Sequence, residues 1–187
     1  PQHFSQQIFA SKRGVRRIPY MNSIVYLASE FCEGRYDCNV EASLWEPVIQ
    51  YIFENHKTLE FSKDKIHTLW TVNGGHLRKK INNDELLTKV LKLVLPVYSG
   101  EGLDLYRGEC RFLYENGKIG FCWTSDIEVA RKFSIRNAHK SGRLLLKAYA
   151  PEKAIFASPN KHSIKQMREF EYTCDPHMLE NIEVIST

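Results

Sequence analysis

Apolar residues in the first half of the chain recur at helical spacing. In EASLWEPVIQYIFENHK (41–57), Leu44, Val48, Ile49, Ile52 and Phe53 share one side of a helix, and Pro47 is acceptable in an early turn. IVYLASEFCEG (24–34) has Asn22 and Ser23 available as caps and Gly34 as a stop. SKDKIHTLWTV (62–72) and NNDELLTKVLKLVL (82–95) predict two further helices. Gly74 and Gly75 read as a helix stop; Asn82, Asn83 or Asp84 opens the last helix, which closes near Pro96.

After PVYSGEG (96–102) the pattern changes to short β-branched and aromatic runs separated by Gly, Asp, Pro and Asn. LDLYRG (103–108), IGFCWT (119–124), GRLLLKAYA (142–150), AIFAS (154–158), EFEYTC (169–174) and NIEVIS (181–186) predict strands, with one helix, DIEVARKFSIRN (126–137), among them. The expected fold is α+β: an N-terminal arm and helical subdomain over residues 1–97, and a β-rich core over 98–187, within one compact domain. In the fifth run, alternation places Phe170, Tyr172 and Cys174 inward and Glu169, Glu171 and Thr173 on the other face. Two like charges then stand roughly 7 Å apart, a pattern that a half-buried strand with a solvated face explains by itself.

At 187 residues, 43% of them hydrophobic, the chain can bury a sizeable core and lacks the composition of a disordered one. Lys89, Lys92 and Pro96 interrupt the longest apolar stretch, so no membrane span is expected, and the first twenty residues carry no secretory signal. A cytoplasmic location follows as the expectation. Five cysteines without a C-x-x-C pair argue against a disulfide framework, and scattered histidines argue against a metal site. The net charge of +4 and pI near 8.8 favour acidic partners, nucleic acid among them. Lys12, Arg13, Arg16 and Arg17 form the densest basic run, which reads as a solvated arm. Neither a G-x-G-x-x-G fingerprint nor a P-loop is present, and glutamates two apart on one strand cannot flank a glycosidic bond.

Three stretches carry candidate chemistry: Arg107 and Gly108 in LYRGE, the run GFCWTSDIEVARKF, and the glutamates of REFEYTCDP. An Arg-Gly pair at a strand end lets a phosphate reach the guanidinium while the missing Cβ permits close backbone approach. In order and spacing, these stretches resemble the R-S-E branch of the mono-ADP-ribosyltransferases, over roughly residues 98 to 185. Arg107 matches that family's dinucleotide-holding arginine, and Glu169 and Glu171 match its Glu-x-Glu strand. Cys122, Trp123 and Thr124 fall over its Ser-Thr-Ser, with Val129, Ala130 and Phe133 completing the pattern; an alternative register uses Trp123, Thr124 and Ser125. Cys122 departs from the family, since a thiol is a weaker donor than the serine that normally holds the catalytic glutamate.

The resemblance implies a split β-sheet core and an NAD-consuming enzyme without a metal. It implies Glu171 stabilising the cationic ribose carbon, Glu169 serving the acceptor, and Arg107, Gly108, Cys122, Trp123, Thr124 and Phe133 binding NAD. It implies an acceptor loop in SPNKHSIKQMR, here basic through Lys161, His162, Lys165 and Arg168, which suits RNA or DNA as well as an acidic protein surface. Glu-x-Glu members tend toward protein arginine, so a protein-arginine transferase stands beside a nucleic-acid transferase. Enzymes of this size resemble bacterial toxin or phage-defence effectors, with an antitoxin protein as partner. An inactive relative acting as a binding module is the remaining alternative.

Overall fold

The computed structural model describes residues 7–11, 14–18, 20–136 and 140–186. The chain divides into two compact units, Pro1–Val94 and Leu95–Thr187, where the sequence suggested a boundary at 97/98 inside one domain.

The first unit opens with a hairpin. β1 (Gln7–Ser11) pairs antiparallel with β2 (Gly14–Ile18), so Arg16 and Arg17 lie on a strand and not on a free arm; Lys12 and Arg13 lie outside the described residues. Helices α1 (Tyr20–Cys32), α2 (Trp45–Asn55), α3 (Lys63–Ile81) and α4 (Asp84–Val94) follow. Asn22 and Ser23 fall inside α1 and do not cap it, whereas Gly34 does end it, at φ +70°. Ala42–Leu44 form a separate 3-10 turn, leaving Pro47 in the first turn of α2.

Gly74 and Gly75 do not stop α3, which runs on to Ile81. Ile66, Trp70, Leu77 and Ile81 bury one continuous face on both sides of the glycine pair, and that burial outweighs the poor helix propensity of glycine. The stop comes at Asn82, which turns left-handed at φ +48°, and Asn83 then caps α4 by accepting the Leu86 N–H at 3.0 Å. Arg78 grips Asp84 through two hydrogen bonds of 2.8 and 2.7 Å across this junction. Among the described residues no helix is long and apolar enough to cross a membrane.

The second unit is one open antiparallel sheet of six strands: β3 (Leu103–Cys110), β4 (Cys122–Thr124), β5 (Arg143–Ala150), β6 (Ile155–Ala157), β7 (Glu171–Cys174) and β8 (Glu180–Ser186). Their spatial order is β6-β7-β4-β3-β5-β8. A short α5 (Arg111–Glu115) follows β3, and α6 (Ile127–Arg136) follows β4. The strands form a single sheet, not the split pair that the sequence reading expected. Its centre is nonetheless thin: β3 pairs with β5 over eight residues, but with β4 only through Tyr106 and Thr124. One face buries Leu105, Trp123, Leu146, Ala148 and Cys174. The other carries α6, whose backbone crosses β3 directly above Gly108; a Cβ there would meet the Ser134 nitrogen and the Ala130 carbonyl.

Two variants in α3 test whether packing overrides propensity. Gly75→Ala, facing open space, is expected to stabilise the chain by about 0.5–1 kcal/mol. Gly74→Ala gains the same propensity but sets its Cβ 3.0 Å from the Trp70 ring, so it gains less or loses. Denaturant unfolding compares them; equal stabilisation by both would show that the Trp70 contact imposes nothing.

Candidate active site

Register fixes which side chains meet at the middle of the sheet. Tyr106, Thr124 and Glu171 are successive partners across β3, β4 and β7, so they stand in one row on the face that α6 covers. Cys122 and Thr173, the next facing pair, join them. Trp123 and Tyr172 point the other way, and Trp123 is 1% exposed with its indole N–H donating to the Gly120 carbonyl at 3.0 Å. Trp123 is therefore core and not part of a cofactor pocket. Gly108 is likewise corrected: the close approach its missing Cβ allows is made by α6.

Arg107 leaves β3 on the face opposite Glu171 and fills the fork where β3 and β4 part. Its Nε donates to Glu109 Oε2 at 2.7 Å and its Nη1 to the Cys122 carbonyl. Glu109, 1% exposed, also accepts the Gly120 N–H at 3.1 Å and the Cys110 N–H at 2.9 Å. A Cβ on Gly120 would meet the guanidinium, so the glycine makes room for it. Two of the five N–H donors of Arg107 are committed in this way. The charge of Arg107 reaches Glu171, but the contacts of its guanidinium are to Glu109 and the Cys122 carbonyl.

Glu171 is 9% exposed, and its Oε1 has no hydrogen-bond partner. Burial pushes its carboxyl up from 4.5 to about 8; a hydrogen bond with Cys122 opposes that, Glu169 adds to it, and Arg107 opposes it weakly. Burial and the Glu171 charge in turn push the Cys122 thiol well up, against the pull of Arg107. A thiol held protonated serves as a donor and is a poor nucleophile. Thr173 Oγ1, fully buried beside this pair, is also unpartnered.

Glu169 does not share the strand with Glu171. The strand begins at Glu171, and Arg168 and Phe170 on either side of Glu169 are both left-handed, at φ +56° and +48°. That geometry breaks the alternation. Glu169 is held instead by its backbone: its carbonyl accepts from Thr124 Oγ1 at 2.7 Å and its N–H donates to the Ser163 carbonyl at 3.0 Å. Thr124 is thus framework, accepting the Asp126 N–H at 3.1 Å as well. The carboxyl of Glu169 is half-buried and raised by burial, with Arg136 and His162 pulling it back down.

The segment expected as an acceptor loop is a single π-helical turn, Ser163–Met167, an arrangement that recurs at functional sites. Lys165 on the turn and Lys161 and Arg168 flanking it are exposed, and His162, just before it, is half-buried. Ser163 is fully buried, and its hydroxyl accepts the Glu171 N–H at 2.8 Å. Phe133, half-buried on α6, lies under the guanidinium of Arg136, whose carbon is 5.1 Å from the ring centre.

Four residues escaped the sequence reading: Glu109, Arg136, Ser163 and Thr173. Glu109 had a usable signal, an opposite charge two residues from Arg107 and hence on its face. Ser163 had none, because its link to Glu171 exists only after the turn folds back. Among the described residues no group of three His, Cys, Asp or Glu could hold a metal ion.

Two stability measurements probe this site. Below pH 4.5 the Glu171 carboxyl is protonated in folded and unfolded chains alike; between 4.5 and about 8 only the folded chain keeps the proton. Stability therefore falls as pH rises through that window, by about 1.4 kcal/mol per unit at most. Glu171→Gln is expected to raise Tm at pH 8 and to leave it near wild type at pH 4; a lower Tm at pH 8 would contradict the assignment. Glu109→Ala strips the partner from a buried guanidinium and is expected to cost about 3–5 kcal/mol by denaturant unfolding. No family model, curated protein or solved structure matches this chain.

Proposed function

We propose that the chain is a mono-ADP-ribosyltransferase, which cleaves the nicotinamide–ribose bond of NAD and transfers ADP-ribose to a nucleic acid, as an effector of the bacterial toxin or phage-defence kind. The observation that carries this reading is the unpartnered, buried carboxylate oxygen of Glu171. Leaving such an atom without a partner costs stability, and a ligand group that contacts it removes the cost.

The chemistry suits that position. When the bond breaks, nicotinamide departs with the electron pair and the ribose carbon becomes cationic; a fixed carboxylate beside it stabilises the charge without reorganising. Glu171 must be ionised to do this. The positive nicotinamide ring entering beside it opposes the effect of burial, so the carboxyl releases its proton as NAD binds. Glu169, displaced from the strand and half-buried, is free to take the proton of the incoming acceptor nucleophile. Cys122 donates to Glu171 in place of the family's serine, while Arg107, on the opposite face of the sheet, contributes its charge at Glu171 and no direct contact.

A second reading, an inactive relative that only binds, is favoured by one observation: Arg107 is already engaged by Glu109 and the Cys122 carbonyl. Labelled NAD separates the two. Incubation with cell RNA, single-stranded DNA and lysate protein is expected to label nucleic acid, with kcat rising through an apparent pKa below about 8 and Glu171→Gln reducing transfer about 10²–10³-fold. Neither transfer, NAD hydrolysis nor NAD binding would leave the inactive reading. Label confined to protein arginine would select the protein-arginine alternative, and full transfer by Glu169→Ala would remove the role given to Glu169.

A further inference from the structure

The basic run Lys12, Arg13, Arg16 and Arg17 is not used by the chemistry proposed above, yet it accounts for the net charge of the chain. These four are among 26 Lys and Arg residues, and the 22 that remain equal the 22 Asp and Glu. No acid precedes Glu30, whose carboxylate is gripped by Arg35 through hydrogen bonds of 2.8 and 2.7 Å. The excess of +4 therefore lies entirely within residues 1–29 of an otherwise balanced chain. Charge gathered in one segment attracts anions locally, as the same charge spread over the surface would not.

Backbone pairing says more. β1 and β2 form a sheet of two strands, separate from the six-stranded sheet, and neither outer edge has a strand neighbour among the described residues. A ribbon of that size is marginal in water by itself, so it gains from a surface to lie against. Its register indicates which kind. Arg16 stands opposite Phe9 and Arg17 opposite Ile8, and of the five facing pairs only Ala10 with Val15 is apolar on both strands. Alternate positions share a face, so each face of the ribbon contains one arginine position and neither is wholly apolar. A protein core or a lipid interior would strand that charge away from water, whereas a polyanion neutralises both faces. Pro19 alone separates β2 from α1, whose first turn holds no acid, so the positive end of the helix dipole adds to the same field. The major groove of DNA, about 12 Å wide and walled by phosphates, admits a two-stranded ribbon; the deep, narrow groove of duplex RNA does not.

We infer that the ribbon formed by β1 and β2 is a docking element for duplex DNA, with Arg16 and Arg17 as its phosphate contacts. It holds the backbone without reading sequence and takes no part in cleaving NAD, so it stands or falls independently of the transferase reading.

The test uses the full chain without NAD, a short fluorescent DNA duplex read by anisotropy across a salt series, and co-sedimentation with phosphatidylserine vesicles. Arg16→Gln combined with Arg17→Gln is expected to weaken duplex binding about tenfold, and to lower the slope of log affinity against log salt by about 1.8, the loss of two phosphate contacts. Arg16→Lys with Arg17→Lys keeps both charges and is expected to keep the slope. Lys57→Gln with Lys79→Gln removes as much net charge from exposed positions of the helical unit and is expected to have little effect. Unchanged affinity and slope in the Arg-to-Gln pair overturn the inference. An equal loss in the Lys57 and Lys79 pair does so too, because general basicity would then be the cause. If the Arg-to-Lys pair loses as much as the Arg-to-Gln pair, charge is not what the ribbon contributes and the inference fails. Arginine-dependent binding to the vesicles and not to the duplex would assign the ribbon to a membrane surface instead.

Discussion

The sheet of the second unit depends on a buried ion pair, Arg107 with Glu109, at the point where its two halves part. β3 and β4 share one bridging pair of residues, and beyond it backbone groups of β4 and the preceding turn lose their neighbours. The side chains replace the ladder. Glu109 accepts from Gly120 N–H, Arg107 donates to the Cys122 carbonyl, and each neutralises the other at 2.7 Å. Such a pair gains little over apolar packing, because two charges must leave water, but either member alone would be a buried charge. The two residues therefore stand or fall together, and they fix the strand that carries Cys122 and Thr124.

From that strand the site follows outward. Thr124 sets the position of the Glu169 carbonyl and Cys122 reaches the Glu171 carboxyl, while Ser163 holds the Glu171 N–H from the far side. Glu171 is thus anchored by its neighbours and its own backbone, yet one of its carboxylate oxygens is left bare. A protein selected for stability alone has no reason to bury an acid in this state, since burial raises its pKa and costs stability at neutral pH. Strain concentrates at the same place, with two left-handed non-glycine residues bracketing Glu169. The unsatisfied group and the strained backbone lie in one short stretch, residues 168–171.

Much of the local structure was legible. The apolar spacing of Val48, Ile49 and Ile52 reports a helix face because the period is a property of the segment itself, and those residues are fully buried. The six strands were legible for the same reason, although four of them, β4, β5, β6 and β7, begin one to three residues later than the pattern suggests. Glycine was the less faithful guide. Gly34 ends its helix, but Gly74 and Gly75 do not, because a long buried face continues across them. At Gly108 the missing side chain serves helix packing, a use that sequence cannot tell from ligand approach.

The sequence by itself determined the two compositional halves, the helical and strand periods, and the set of charged and polar residues from which a site could be built. Only the tertiary structure decided which of them act together. Alternation placed Glu169 and Glu171 side by side, but the left-handed residues around Glu169 put one glutamate in the sheet and the other at its edge. Arg107 is two residues from its partner in sequence and Ser163 eight from its own, yet both pairings require the fork and the turn to exist first. Periodicity records which face a residue takes; burial, pairing and the pKa of Glu171 depend on what the rest of the chain brings to that face.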